Sequence, residues 1–177
     1  MRLCPRPFVP LLLALLTAGT IACPSDPSPR EAGVLLSAQV SDAAPLALRR
    51  ADLESLPPQS VSSKRVIERN GARDEQTLVY GGWLLRDVLA RAGFGDGQRG
   101  ARTWVVEAVA TDGYRAVFSW GELYNSALGD QVYVIGSQDG KPLDAVAGPL
   151  SLRSLADLRP GARHVRNLCA LQVRPLR

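Results

Sequence analysis

Behind residue 33 the apolar positions come mostly in short runs with the two-residue period of strands, interrupted once by a helical period. Val34 to Val40 predicts a first strand, and Pro45-Leu46-Ala47-Leu48 a second short extended piece. Ala51 to Leu56 predicts a one-turn helix ended by Pro57-Pro58. Arg65 to Arg69 and Gln76 to Tyr80 are strand candidates on either side of Asn70-Gly71, a hairpin signal. Gly81-Gly82 is expected to break the chain. Leu84, Leu85, Val88, Leu89 and Ala92 then fall on one helical face, Asp87 and Arg91 are spaced to pair on the other, and Gly93 is a natural stop. Trp104 to Ala110 and Tyr114 to Phe118 predict two strands joined at Asp112-Gly113. Ser119 with Glu122 has capping-box spacing for a short helix through Tyr124. Gln131 to Gly136, Leu150 to Arg153 and Val165 to Val173 complete the strands. Residues 141 to 163, with Pro142, Gly148, Pro149, Pro160 and Gly161, predict a long loop-rich connection of the kind that often carries function.

The first 33 residues follow a different pattern. Arg2 and Arg6 precede an apolar stretch from Phe8 to Ala18, and small residues follow, ending in Ala22-Cys23. This is the three-part pattern of a secretory signal peptide over residues 1–22. The apolar stretch is shorter than the roughly 20 residues of a membrane-spanning helix. Thr20-Ile21-Ala22-Cys23 resembles a bacterial lipobox, with Thr20 where Leu is usual. It implies that Cys23 is lipidated and holds a periplasmic lipoprotein to the membrane; the alternative is cleavage near Ala22 and a soluble periplasmic or secreted product. Pro24-Ser25-Asp26-Pro27-Ser28-Pro29 places a tether over residues 23–33, since such residues build no core and Pro keeps the backbone extended. The domain proper is expected over residues 34–177.

Composition narrows the function classes. The chain is 46% hydrophobic and 21% charged, ordinary for one globular domain. Of 21 basic residues, Arg2 and Arg6 belong to the leader, which leaves 19 against 17 acidic ones. With Arg scattered and no basic stripe interleaved with aromatics, nucleic acid is not an expected partner. Of the three cysteines, Cys4 leaves with the leader and Cys23 takes lipid, so Cys169 is expected to be without a disulfide partner, a small buried apolar residue. One His and one free Cys cannot build a zinc framework.

Candidate chemistry is sparse. There is no phosphate loop, no dinucleotide-binding glycine pattern and no nucleophile elbow. No acid–base pair stands out. Arg163-His164-Val165-Arg166 is a basic cluster before the last strand. Its functional reading is an anion or cofactor-phosphate site at Arg163, His164 and Arg166, because guanidinium presents a planar fork of donors matched to phosphate; its alternative is a solvated strand edge. Glu107, the one charge in an apolar strand, is expected to face outward, and Tyr114 to be a sheet residue.

Several segments, in order, resemble the molybdopterin-binding domain of the sulfite oxidase family. Leu46-Ala47-Leu48 followed by Ala51-Asp52-Leu53-Glu54-Ser55-Leu56-Pro57 is similar to its strand and Asp-Leu-x-x-Leu-Pro turn. Tyr80-Gly81-Gly82-Trp83-Leu84-Leu85-Arg86-Asp87-Val88-Leu89 resembles its Tyr-x-Gly helix start. Asp112-Gly113-Tyr114, Asp139-Gly140-Lys141-Pro142-Leu143 and Gly148-Pro149-Leu150 match later motifs. Gly161-Ala162-Arg163-His164-Val165-Arg166-Asn167-Leu168 resembles the closing segment. The resemblance covers about residues 34 to 175. It implies an α+β fold, mainly β, with a curved sheet core and short helices.

In active members a Cys thiolate binds molybdenum, and the resemblance places that Cys between Pro57 and Val79. This chain has Ser60, Ser62 and Ser63 there and no Cys. A hydroxyl is a poor substitute for a soft thiolate. The segment between Gly93 and Asp112 is short, and Ser151 stands about where an Arg is usual. The resemblance therefore leaves molybdopterin as the cofactor in question, with no catalytic residue and no metal ligand to assign. The expectation is a non-catalytic binding or interaction module for a small anionic ligand or an envelope protein partner. The alternative is a molybdopterin-dependent oxidoreductase with atypical metal ligation.

Overall fold

The two-residue apolar period closes into two sheets whose inner faces share one core. The computed structural model describes Cys23 and residues 33–176 other than Gly71, Arg99 and Pro160, without the side chains of 65, 67–69 and 72. The expected signal peptide over residues 1–22, and the expected tether over 23–33 apart from Cys23 and Gly33, lie outside the described residues. In chain order the elements are β1 (Val34–Val40), β2 (Leu46–Arg49), α1 (Arg50–Glu54), β3 (Gln59–Arg69), β4 (Ala72–Leu84) and α2 (Leu85–Arg91). They continue with β5 (Trp104–Ala110), β6 (Arg115–Ser119), α3 (Trp120–Tyr124), β7 (Val132–Gln138), β8 (Lys141–Pro142), β9 (Ser151–Ser154), β10 (His164–Val165) and β11 (Leu168–Pro175). The fold is α+β and sheet-dominated, with short helices, as the pattern predicts. No helix among the described residues is long and apolar enough to cross a membrane.

One sheet has five strands in the order β2-β1-β11-β5-β6. β1 and β11 run parallel, and the other pairs are antiparallel. The second sheet is ordered β10-β9-β7-β4-β3, with the short β8 beside β7. Alternate residues of both sheets turn inward. Leu36, Val106, Ala108 and Phe118 come from the first sheet, and Trp83, Val134, Leu152 and Val165 from the second. Leu53 of α1 and Leu85, Val88 and Leu89 of α2 join the same cluster. Complete burial of such a side chain contributes roughly 1.5–3 kcal/mol.

Four local expectations change. Gly81-Gly82 does not break the chain, because β4 runs through both. The register against β7 slips there, and a Cβ on Gly82 would lie 2.1 Å from the Val134 carbonyl oxygen. The glycine lets two backbones touch. The last predicted strand is two strands in different sheets. Asn167 divides them with φ at +48°, a left-handed conformation that Asn tolerates. It is braced where its side-chain amide donates to the Val146 carbonyl at 2.9 Å. Arg91 does not turn to Asp87; it reaches Asp52 of α1 at 2.7 Å. Glu107 does stand on the outer face of its sheet, yet it is only 6% exposed, covered by Arg115 and Arg174, which both pair with it.

The capping box forms as predicted. The Glu122 amide donates to the Ser119 hydroxyl oxygen at 3.2 Å, and the Ser119 amide donates to the Glu122 carboxylate at 2.7 Å. It starts α3 directly at the end of β6, and it holds Glu122 where Arg163 of the basic cluster reaches it.

Candidate functional site

The phase of β10 splits the basic cluster. Val165 points into the shared core and is fully buried. Its neighbours at one residue's remove, His164 and Arg166, therefore turn to the opposite face of the second sheet. β10 pairs antiparallel with β9, and the register sets His164 directly across from Arg153. The Arg153 guanidinium lies 4.6 Å over the ring of Tyr80, itself buried on β4. β3, next to β4, brings Ser63 and Lys64 to the same place. The result is a cleft of about 440 Å³ whose wall includes Ser63, Lys64, Tyr80, Arg153, His164 and Arg166.

A smaller hollow of about 240 Å³ adjoins it, sharing Ser63, Lys64, Arg153 and His164. Its carboxylate, Asp157, is already engaged. Asp157 accepts from Arg163 Nε at 3.0 Å, from an Arg163 terminal nitrogen at 2.5 Å and from the Ser154 hydroxyl at 2.8 Å. Arg163 also donates to Glu122 at 2.8 Å, and its guanidinium sits 5.2 Å over the Phe118 ring. Of the three residues in the proposed anion site, then, His164 and Arg166 line the larger cleft. Arg163 borders only the smaller hollow, with its charge answered by two carboxylates.

The electrostatics follow from these contacts. Burial works to raise the Asp157 carboxyl, but the hydrogen bonds from Arg163 and Ser154 overcome it and hold the group below its ordinary range. Glu122 is held low in the same way, against burial, by Ser119 and Arg163. The Arg163 guanidinium is raised, chiefly by its hydrogen bonds with Asp157. Lys64 and Arg166 make no ion pair with another described residue. Among the described residues the larger cleft has no acidic side chain in its wall, and Lys64 and Arg166 bring to it cationic donors suited to an anion.

Sequence reasoning missed Lys64, Tyr80 and Arg153. Their signal was register: β3, β4, β7 and β9 lie side by side in the sheet, although Lys64 and Arg153 are 89 residues apart in the chain. Tyr114 is not in a strand. It precedes β6 and donates its hydroxyl to the Ala162 carbonyl at 2.7 Å, which steadies the loop before the cluster.

The cysteines differ most from expectation. Cys169 has a partner: Cys23 and Cys169 form a disulfide, with their Cα atoms 6.0 Å apart, within the ordinary range for such a bond. The pair stands on the five-stranded sheet beside Val109 and Ala170, away from the cationic cleft. Among the described residues no group of three or more His, Cys, Asp or Glu side chains could hold a metal ion.

No protein-family model matches this chain, and no curated protein matches it. Among solved structures, it is similar to the crystal structure of the sulfane dehydrogenase SoxCD from Paracoccus pantotrophus, at a TM-score of 0.55 and 14% sequence identity. The match covers 78% of this chain and 37% of that one. At this identity the likeness is one of fold.

Proposed function

We propose that this chain is an exported domain of the sulfite-oxidase-type molybdopterin-binding fold that binds a small anion and does not carry out molybdenum chemistry. The observation that carries the reading is the cleft walled by Lys64, Arg153, His164 and Arg166, with no carboxylate among the described residues of its wall. The fold likeness to the sulfane dehydrogenase supports the fold type, as do the ordered motifs from Leu46 to Leu168.

The donors in the cleft do not fit molybdenum. Ser63 offers a hard, weakly acidic hydroxyl, and the remaining polar donors of the wall include imidazole, guanidinium and ammonium, with no soft thiolate among the described residues. The sulfurs of Cys23 and Cys169 lie on the other sheet, bonded to each other. The cations fit the phosphate of a pterin, a nucleotide or a simple diphosphate equally well.

Two observations of one preparation test this. Protein purified from an exporting bacterial host is expected to hold no stoichiometric molybdenum by metal analysis. Calorimetric titration with inorganic pyrophosphate is expected to show binding that Arg166→Gln and Lys64→Gln each weaken about tenfold, the loss of one charge-assisted contact. One molybdenum per chain would overturn the proposal in favour of an oxidoreductase with atypical ligation, the reading that the fold likeness alone also supports.

Export rests on the residue pattern over 1–22. That pattern allows a lipid on Cys23 and attachment to the membrane, or cleavage near Ala22 and a soluble periplasmic or secreted product. The pairing of Cys23 with Cys169 supports the second.

A further inference from the structure

We propose that the sulfur of Cys23 is committed to Cys169 rather than to a lipid, so that the first residue behind the leader is fastened covalently to the five-stranded sheet. The proposal rests on the export reading for its compartment, and on the structure for its pairing.

Three observations carry it. First, Cys169 is the extra residue of a bulge. Leu168 faces Ala110 and Ala170 faces Val109, which leaves Cys169 with no partner of its own in the ladder. A bulge re-aims a side chain, and this one brings the Cys169 sulfur within 3.3 Å of the Val109 carbonyl oxygen. Second, Cys23 is 7% exposed, packed on Val109 and Ala170, with its sulfur 3.4 Å from the Ala110 carbonyl oxygen. A sulfur buried there cannot also stand at a bilayer surface carrying acyl chains. Third, sulfur in cysteine forms one bond beyond Cβ. A thioether to diacylglycerol and a disulfide to Cys169 are therefore mutually exclusive.

Formation of the bond balances simply. The two thiols lose two protons and two electrons to the disulfide of an oxidising protein partner in the exported compartment, which leaves as a dithiol. Such oxidants belong to the compartments where disulfides persist. Cys4 competes for Cys169 only while the leader remains attached.

The test uses the full chain with its own leader, produced in an exporting bacterium and alkylated at lysis. Peptide mapping is expected to show an N-terminus at Cys23, no lipid mass, and a Cys23 peptide joined to a Cys169 peptide until reductant is added. The protein is expected in the aqueous phase of a detergent partition. Cys169→Ser should leave Cys23 open to alkylation, with leader removal unchanged. A lipid-bearing Cys23 together with a freely alkylated Cys169 would overturn the proposal. A chain recovered with its leader intact would instead remove the export reading, and a second arm then decides the pairing. Full-length chain, reduced and then oxidised in a glutathione buffer, should link Cys169 to Cys23 in preference to Cys4; equal amounts of both links would overturn the pairing.

Discussion

Replacing Arg163 with Met separates a structural clasp from an anion site, because the structure gives this residue a role different from that of its neighbours. The substitution keeps an unbranched side chain near Phe118 and removes the charge. Two arms are lost. The arm to Glu122 is screened, with the Glu122 side chain 42% exposed, so it contributes only a few tenths to about 1 kcal/mol. The arm to Asp157 is better shielded, with side-chain exposures of 24% for Arg163 and 12% for Asp157. Removing one partner of a fully buried pair costs about 3–5 kcal/mol. Discounted for the remaining water and for the Ser154 hydroxyl that stays on Asp157, the cost here is about 2 kcal/mol. With the lost contact over the Phe118 ring, at roughly 0.5–1 kcal/mol, the total is about 3 kcal/mol. The pH dependence has a definite sign. Asp157 and Glu122 are held below their ordinary values in the folded chain. Their stabilisation is therefore present above the ordinary carboxylate range near pH 4 and is lost as pH falls through the lower folded values. Urea unfolding of wild type and Arg163→Met at pH 7 should show the full difference. The gap should narrow in acid, where the wild type loses the pair as well. Adding Asp157→Asn should recover part of the loss at pH 7. A difference below about 0.5 kcal/mol at pH 7, or one that does not change with pH, would refute the clasp. So would pyrophosphate binding weakened as much as by Arg166→Gln in a variant that remains fully folded.

Two further outcomes follow from the same structure. Reduction of the Cys23–Cys169 bond opens a loop with a sequence separation of 146, for which the chain-entropy estimate is about 5 kcal/mol as an upper bound; thermal unfolding with and without reductant should show a drop in Tm, and an unchanged Tm would mean that the unfolded chain gains nothing from release. Gly82→Ala would put a methyl group 2.1 Å from the Val134 carbonyl oxygen on the neighbouring strand, and it should cost at least the roughly 1–3 kcal/mol of an overpacked core, seen as a lower urea midpoint, whereas Gly97→Ala, with nothing within 4 Å, should leave stability within about 0.5 kcal/mol.

What the sequence made legible was local. Val34–Val40 and Trp104–Ala110 form strands with the predicted ends, and the Ser119–Glu122 capping box closes as its spacing requires. Each signal sits within a few residues of what it controls. The misreadings share the opposite property. Gly81-Gly82 has the composition of a break, and only the approach of β7, some 50 residues later in the chain, explains why glycine stands inside a strand. Glu107 looks like a solvated charge until Arg115 and Arg174 fold over it from the strands on either side. Cys169 looks solitary until Cys23 arrives from the far end of the chain. Sequence distance carries no information about any of these encounters.

The basic cluster shows how far a local pattern can reach and where it stops. Arg163, His164 and Arg166 lie within four residues, and composition alone treats them as one site. The burial of Val165 adds a phase, and the phase alone assigns His164 and Arg166 to one face. That step was available from the sequence once a strand was assumed. The fate of Arg163 was not. It depends on Asp157, six residues earlier in a loop, and on Glu122, which the capping box holds at the head of α3. The same cap that was readable from Ser119-x-x-Glu122 therefore claims the arginine that spacing would have given to an anion. What remains for the cleft is a pair from the cluster, completed by Lys64 and Arg153 from strands whose register no single segment encodes.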